Sequence, residues 1–538
     1  MQSAKRASAK RKAEVQRDLV GGRPNLRLLA LALASIGLYA WLVLRYPLLP
    51  GLASGRANWA TLADGSLAAG LLHAAVYGLL VVLYVLALRS ALRLPAATRG
   101  VRAASLVWGG WLVMAALLLG AYPGESLDIF DYLFRGRMLA EYGASPLAVS
   151  PTPFSGKPFY DFITWRGQVD TYGPLWEYAS GALGWAVGHL LPRPISETTP
   201  ALAVYVTAYR LLAISVSGLS GALVYQIVRR HSPALAPAAL LAWLWNPLLL
   251  TASAVGAHND LLMTLWILAA LWLLQRHHWL LGLLALLLAT HVKLTALLLL
   301  PVVALWLIRR IGWRAAVARG LLAIVCALPL SWLLYAPLGG WATLPRMLRE
   351  RTQFLANTPA DLLYRWLQER AGWDELAARQ LATLGATLLF CLIAAVLIAR
   401  MLNLWAALRP TLTRAAPVDD AALWRCGLAV TTTYLLVGGF WFMPWYVLWA
   451  LPLAALMPAS RWMRWWLPAL TLGALWSGLA ADSLTFTRAT QLSPTQVSWV
   501  SVSLLLAPLV VAALLQGVRR SSQTLGRTPR TARVPEQP

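Results

Sequence analysis

Charge is what this chain has least of: only 12% of its 538 residues are Asp, Glu, Lys or Arg, against 59% hydrophobic. A soluble protein carries about a quarter of its residues charged, so a globule surrounded by water is excluded. Acids are the scarcer sign, 21 against 46 bases. The three cysteines, Cys326, Cys391 and Cys426, sit in or beside apolar runs without ligand spacing, which excludes a disulfide framework and a zinc site. No cluster of acidic ligands calls for a divalent metal, and no cofactor motif is present. No helical repeat of 20 to 50 residues is apparent, and no stretch is long enough for a separate soluble domain.

What the chain does have is apolar runs of about 18 to 25 residues, the length of a transmembrane helix. The fold expected is all-α: a polytopic membrane protein with about 14 spans. These fall near 27–47, 67–89, 103–122, 201–228, 235–254, 260–275, 279–290, 293–309, 314–338, 376–402, 421–442, 445–458, 462–480 and 497–517. The net charge of +25 raises the question of a nucleic-acid partner. The bases, however, collect between apolar runs and at both ends, which reads as topology and not as nucleic-acid binding. Basic tails at 1–26 and 518–538 are therefore placed in the cytoplasm, flanking a single membrane domain at 27–517. The first apolar run lacks a small-residue cleavage site, so a removed signal peptide is not expected.

From a cytoplasmic start, the connection at 123–200 lies outside the cytoplasmic membrane. Within it Pro174 to Leu191 is apolar and about long enough to cross. Crossing would put Arg229, Arg230 and His231 outside, so this segment is laid in the interface instead. A second outer loop, 339–375, is basic, with Arg346, Arg349 and Arg351; these face lipid headgroups or an anionic substrate.

The 123–200 loop holds the acids. If Glu125 to Tyr142 is a helix, Asp128, Asp131 and Arg135 fall within an arc of roughly 60°. Arg137 and Glu141 can pair on the other side, and Ile129, Leu133, Gly136 and Ala140 make an apolar stripe suited to a membrane surface. Asp131 precedes Arg135 by four residues, the favourable order for an ion pair, which leaves Asp128 with the free carboxylate. Acids at a membrane boundary are costly and flag function, although Asp128 also fits an N-cap.

Further along, G-A-H-N-D at Gly256 to Asp260 either caps the next helix through Asn259 or Asp260, or aims His258 and Asn259 into the same cavity as Asp128. Lys293 either snorkels or pairs with a phosphate. Trp445 and Tyr446, after the helix-breaking Pro444, fit an interfacial aromatic belt.

In order and spacing these strings resemble the GT-C superfamily of membrane glycosyltransferases, and most nearly the bacterial polyprenol-phosphate-mannose-dependent α-mannosyltransferases. The family pattern D-V-Y-S-Y-x-x-Q-G is met by D-I-F-D-Y-L-F-R-G at Asp128 to Gly136. G-x-x-P-L matches Gly143 to Leu147, and Y-G-P-L matches Tyr172 to Leu175. H-N-D matches His258 to Asp260, a lysine eight residues before a proline matches Lys293 and Pro301, and P-W-Y matches Pro444 to Tyr446. Asp131 stands where the pattern has a small polar residue, and Arg135 replaces Gln.

The resemblance implies two juxtamembrane helices in the first outer loop and Asp128 as catalytic aspartate. Sugar, with mannose the first expectation, would move with inversion from a polyprenyl phosphate to a hydroxyl of a glycan, glycolipid or protein acceptor. Lys293, His258 and the arginines from Arg346 to Arg351 are candidates to hold the departing phosphate, and the remaining substrate-binding candidates are Asp131, Arg135, Tyr172, Asn259, Asp260, Trp445 and Tyr446. The competing class is a transporter or lipid-linked-sugar flippase. A carrier would place ionisable groups at the midplane and show paired repeats, whereas here the acids concentrate in one loop.

Overall fold

The computed structural model describes residues 26–55, 57–94, 100–352, 354–404, 418–486 and 491–525. Most of the two basic tails lies outside these, but the last helix, Pro494–Leu525, runs past 517 into the expected tail. Among the described residues the secondary structure is helical, broken only by two isolated bridges, Pro47 to Ala121 and Ala356 to Trp441. The chain is an all-helical polytopic membrane protein. Nine of its described helices are long and apolar enough to cross a membrane, or ten if one bent pair counts as a span.

Five of the fourteen expected spans are not among the nine; the one at 462–480 folds as a π-helical turn, Trp462–Trp466, followed by the helix Leu467–Phe486, and the other four fall short for local reasons. The run at 235–254 contains Asn246-Pro247, where proline removes a backbone donor. It folds as two helices bent by 54° about a cap in which the Asn246 side chain accepts from Leu248 and Leu249 N–H. Asp260–Gln275 and Trp279–Thr290 are helices of 16 and 12 residues, shorter than a bilayer requires. Residues 445–458 form a 3₁₀ turn, Pro444–Trp449, and a five-residue helix, Leu451–Ala455. The apolar surface remains exposed where lipid would meet it: Leu321, Val325, Leu333, Leu384 and Leu392 point outward from Trp313–Tyr335 and Glu375–Met401.

Two helices inside the 123–200 connection position the site. The first, Asp128–Tyr142, starts three residues later than expected and ends at Gly143, whose φ of +62° suits glycine. It is not a surface helix with one apolar stripe. Every residue from Ile129 to Met138 is buried, so both of its faces are covered by protein. The second, Pro174–Leu190, crosses it at small residues. A Cβ on Gly136 would stand 2.5 Å from the Ser180 carbonyl oxygen, and one on Gly184 would stand 2.8 Å from the Gly136 carbonyl. Ser180 Oγ donates to Tyr132 O at 2.8 Å, and Tyr209 from the long helix Thr199–His231 joins the same crossing. Arg137 and Glu141 pair as expected, with both bonds 2.9 Å, and Tyr205 donates to Glu141 at 2.9 Å.

Two backbone tethers bring distant motifs to this helix pair. Gly173 N–H donates to Val292 O at 2.9 Å and Leu175 N–H to His291 O at 3.0 Å, which ties Y-G-P-L to the segment carrying Lys293. A Cβ on Gly173 would fall 2.0 Å from the His291 carbonyl oxygen. Gly173→Ala is expected to cost about 1–3 kcal/mol or more by forcing this backbone contact apart. Thermal unfolding should show the loss beside a neutral control, Gly109→Ala, where the added methyl meets nothing within 4 Å. The second tether joins the 339–375 loop to the C-terminal third: Ala356 N–H donates to Phe440 O, and Phe442 N–H to Ala356 O, both at 3.1 Å.

Candidate active site

Asp128 lies in the first turn of its helix but does not cap it. The cap position is Leu127 with no side-chain bond, and the Asp128 N–H is taken by Ser126 Oγ at 3.2 Å. Its carboxylate instead forms part of the wall between two cavities. The larger, about 280 Å³, also involves Trp59, Glu125, Asn357, Trp445 and Asp482; the smaller, about 60 Å³, involves Asp131, Arg135, Asp170, Tyr172 and Tyr446. Burial pushes the Asp128 carboxyl up to about 7. The Asp131 charge adds to the rise, while Lys293 and a hydrogen bond with Trp165 oppose it. An acid titrating near neutrality beside a cavity suits proton transfer.

Asp131 plays a different part. Its Oδ2 accepts from Thr164 N–H at 3.0 Å and its Oδ1 from Trp165 N–H at 2.9 Å, so both oxygens are spent on holding the 164–165 backbone. The expected ion pair with Arg135 is not made. Arg135 turns away to donate to the Trp165 and Gln168 carbonyls, each at 3.0 Å, and lies 3.6 Å from Asp170. The physical reason is the 164–170 segment, which folds back over the helix and presents acceptors and an acid that helical spacing cannot reveal. The three residues predicted to share a face do line one cavity.

Behind this wall lies a second layer. Lys293 Nζ is 2.7 Å from Asp260 Oδ1, with both residues 1% exposed or less, and Trp449 Nε1 donates to the same oxygen. The ammonium also stands 5.2 Å from the Tyr172 ring, 4.7 Å from Tyr446 and 5.3 Å from Trp449, an aromatic cage. Lys293 therefore neither snorkels nor enters either cavity. His258 stacks on Trp445 with centroids 3.8 Å apart, in space that Gly256 leaves free. Burial pushes this imidazole down to about 3, so it is neutral and serves no phosphate as a cation. Asn259 makes no side-chain cap, and its buried amide oxygen and nitrogen both lack partners among the described residues. Neither Asn259 nor Asp260 caps the helix as the simpler alternative required.

Trp445 and Tyr446 are 5% and 7% exposed and line the cavities, so they are interior residues and not an interfacial belt. Arg346 and Arg349 lie on the exposed face of Leu344–Thr352 and line neither cavity, while the Arg351 side chain is outside the described residues. What the second loop contributes is Phe354 to the smaller cavity and Asn357 to the larger. Sequence reasoning missed Glu125, Asp170, Glu177 and Asp482. Glu177 carried a signal, an acid inside an apolar run. Asp482, two residues past the expected 462–480 span, carried a similar one, and Asp170 did not. Among the described residues no group of three His, Cys, Asp or Glu is arranged to hold a metal ion.

The family model described as "Alpha-(1->6)-mannopyranosyltransferase, N-terminal domain" matches residues 25–309, just over half of the chain. This stretch contains the carboxylate helix, Y-G-P-L, H-N-D and Lys293. The chain is also 28% identical over 196 residues to the alpha-(1->6)-mannopyranosyltransferase A of Corynebacterium glutamicum. That alignment covers 35% of this chain and 36% of the relative, about a third of the relative's length. With the matched span holding Asp128 and the two helices that build its wall, the chain belongs to the family of alpha-(1->6)-mannopyranosyltransferases.

Proposed function

We propose that this protein is an inverting α-mannosyltransferase that moves mannose from a polyprenyl-phosphate donor to a glycan hydroxyl on the extracytoplasmic side of the membrane, with both termini in the cytoplasm. The observation that carries the reading is Asp128: a carboxylate with no capping duty, held near neutral pKa between two cavities. In this reading the acceptor sugar enters the larger cavity, where Trp59 and Trp445 offer stacking faces and Asn357 and Glu125 can hydrogen-bond hydroxyls. The donor sugar occupies the smaller one, beside Tyr172 and Arg135. Asp128 takes the proton from the attacking hydroxyl as the anomeric C–O bond to phosphate breaks, a contribution of roughly 10² to 10⁴-fold. Family membership and the relative's name support mannose and an α-(1→6) product.

The test is transfer of radiolabelled mannose from polyprenyl phosphate to an α-(1→6)-linked mannose oligosaccharide by the purified chain in detergent. A transporter would need a membrane and would leave the acceptor unlabelled. A pH profile adds a signed prediction. A base must be ionised, so kcat/KM should rise with pH and level off above about 7, following the Asp128 carboxyl. A flat profile from pH 5 to 8 would move the base elsewhere.

A further inference from the structure

Behind Arg135 lies a pair of acids that the mechanism above does not use. Asp170 is 4% exposed and Glu177, at the start of Pro174–Leu190, is fully buried. Asp170 Oδ1 accepts the N–H groups of Thr171 at 2.7 Å and Tyr172 at 3.1 Å. Its Oδ2 has Arg135 Nε at 3.6 Å but no hydrogen bond, and neither Glu177 oxygen meets a donor among the described residues. The two carboxyl groups are nevertheless neighbours in this interior, the Asp170 side chain acting on the Glu177 carboxyl by its charge and by hydrogen bonding. Two carboxylates are acceptors only and cannot bond, whereas a carboxylic acid has an O–H to donate.

The surrounding groups cannot neutralise both charges. Arg135 is the cation that faces the pair from the carboxylate helix, where Asp131 is a further negative charge. Tyr172 lies on the connecting segment, and Tyr209, from Thr199–His231, already directs its hydroxyl at the Tyr132 and Ser180 carbonyls. Two buried acids against one guanidinium would leave an uncompensated charge, at a cost of several kcal/mol.

We propose that Asp170 and Glu177 share one proton, carried by Glu177 and donated to Asp170 Oδ2, and that the neutral acid at 177 is a positioning residue. Through it the Asp170 carboxylate holds Arg135 and the Tyr172 backbone against the cavity that Asp128 lines. The catalytic part of this statement rests on the mannosyltransferase reading; the shared proton does not. Burial raises the Glu177 carboxyl far above its ordinary value, with the Asp170 charge adding to the rise. The acid is therefore retained at neutral pH and lost only as pH climbs through that raised value.

The full chain purified in an ester-free detergent provides the test. Infrared difference spectra of wild type against Glu177→Gln should contain the carbonyl band of a protonated carboxylic acid, present only in the wild type. Glu177→Gln keeps a donor for Asp170 and should retain kcat within about threefold, whereas Glu177→Ala, which removes it, should lose tenfold or more, about 1.4 kcal/mol. The wild-type Tm should fall as pH rises from the ordinary glutamate range through the raised folded value, and Glu177→Gln should lack that part of the fall, since an amide does not ionise. Absence of the infrared difference, or a folded Glu177→Gln as inactive as Glu177→Ala, overturns the proposal. If no variant and no wild type transfers mannose, the functional reading fails while the infrared and Tm results still decide on the proton.

Discussion

Asp128→Asn is expected to reduce mannose transfer at least a hundredfold while leaving the protein in the membrane and at least as stable as wild type. The loss follows from the role: an amide cannot take the hydroxyl proton, and general-base catalysis of this kind is worth roughly 10² to 10⁴-fold. The stability half follows from linkage. The Asp128 carboxyl titrates at about 7 when folded, above its ordinary value, so the folded state binds its proton more tightly than the unfolded state does. Ionisation therefore costs stability as pH rises from about 4 to 7, and above that the full cost is present. Asparagine removes the cost and fits the same space, so Tm at pH 8 should hold or rise. A variant that is inactive because it has unfolded, or one that keeps wild-type activity, removes Asp128 from the proposed role. Asp131→Asn makes an informative contrast. It weakens the acceptor for the Thr164 and Trp165 N–H groups and should lower stability together with activity.

The second large effect is expected at Lys293. Its ammonium and the Asp260 carboxylate are both buried, so Lys293→Met strands a charge that Trp449 satisfies on one oxygen, while the other oxygen has no partner among the described residues. Breaking a buried pair in this way costs about 3–5 kcal/mol, visible as a large fall in Tm. Adding Asp260→Asn should recover much of that loss, because no unpaired charge is then buried. The pH profile carries a second signature. Lys293 lowers the Asp128 pKa and Asp260 raises it, so the rising limb of kcat/KM should move to higher pH in Lys293→Met. In Asp260→Asn it should move to lower pH. An unchanged Tm in Lys293→Met would show that the ion pair does not stabilise the fold; an unmoved limb would uncouple Lys293 from the base.

These two residues also illustrate how sequence and structure divided the work. The spacing of Asp128, Asp131 and Arg135 depends only on helical geometry, and the three do line one cavity because a helix holds its own periodicity wherever it is placed. Asp128 was expected to be left free by an ion pair between Asp131 and Arg135, and that pair is not made. Asp131 is occupied by backbone N–H groups some 33 residues downstream, not by Arg135. Glu177 and Asp170, seven positions apart with a helix start between them, meet only because the chain turns at Gly173 against the His291 carbonyl.

By itself the sequence determined that this chain lives in a bilayer, that its helices are built from apolar runs, and that its largest group of acids, 8 of 21, lies in one connection. These properties follow from composition and local periodicity, which need no knowledge of neighbours. Only the tertiary structure decided that the carboxylate helix is enclosed on both faces, that Lys293 is spent on Asp260, that Trp445 and Tyr446 face inward, and that Arg346 and Arg349 stay outside the two cavities. Each of these depends on which segments fold back on which. In a chain this apolar, one hydrophobic stretch resembles the next, and long-range hydrogen bonds and glycine contacts choose among pairings that hydropathy leaves equal.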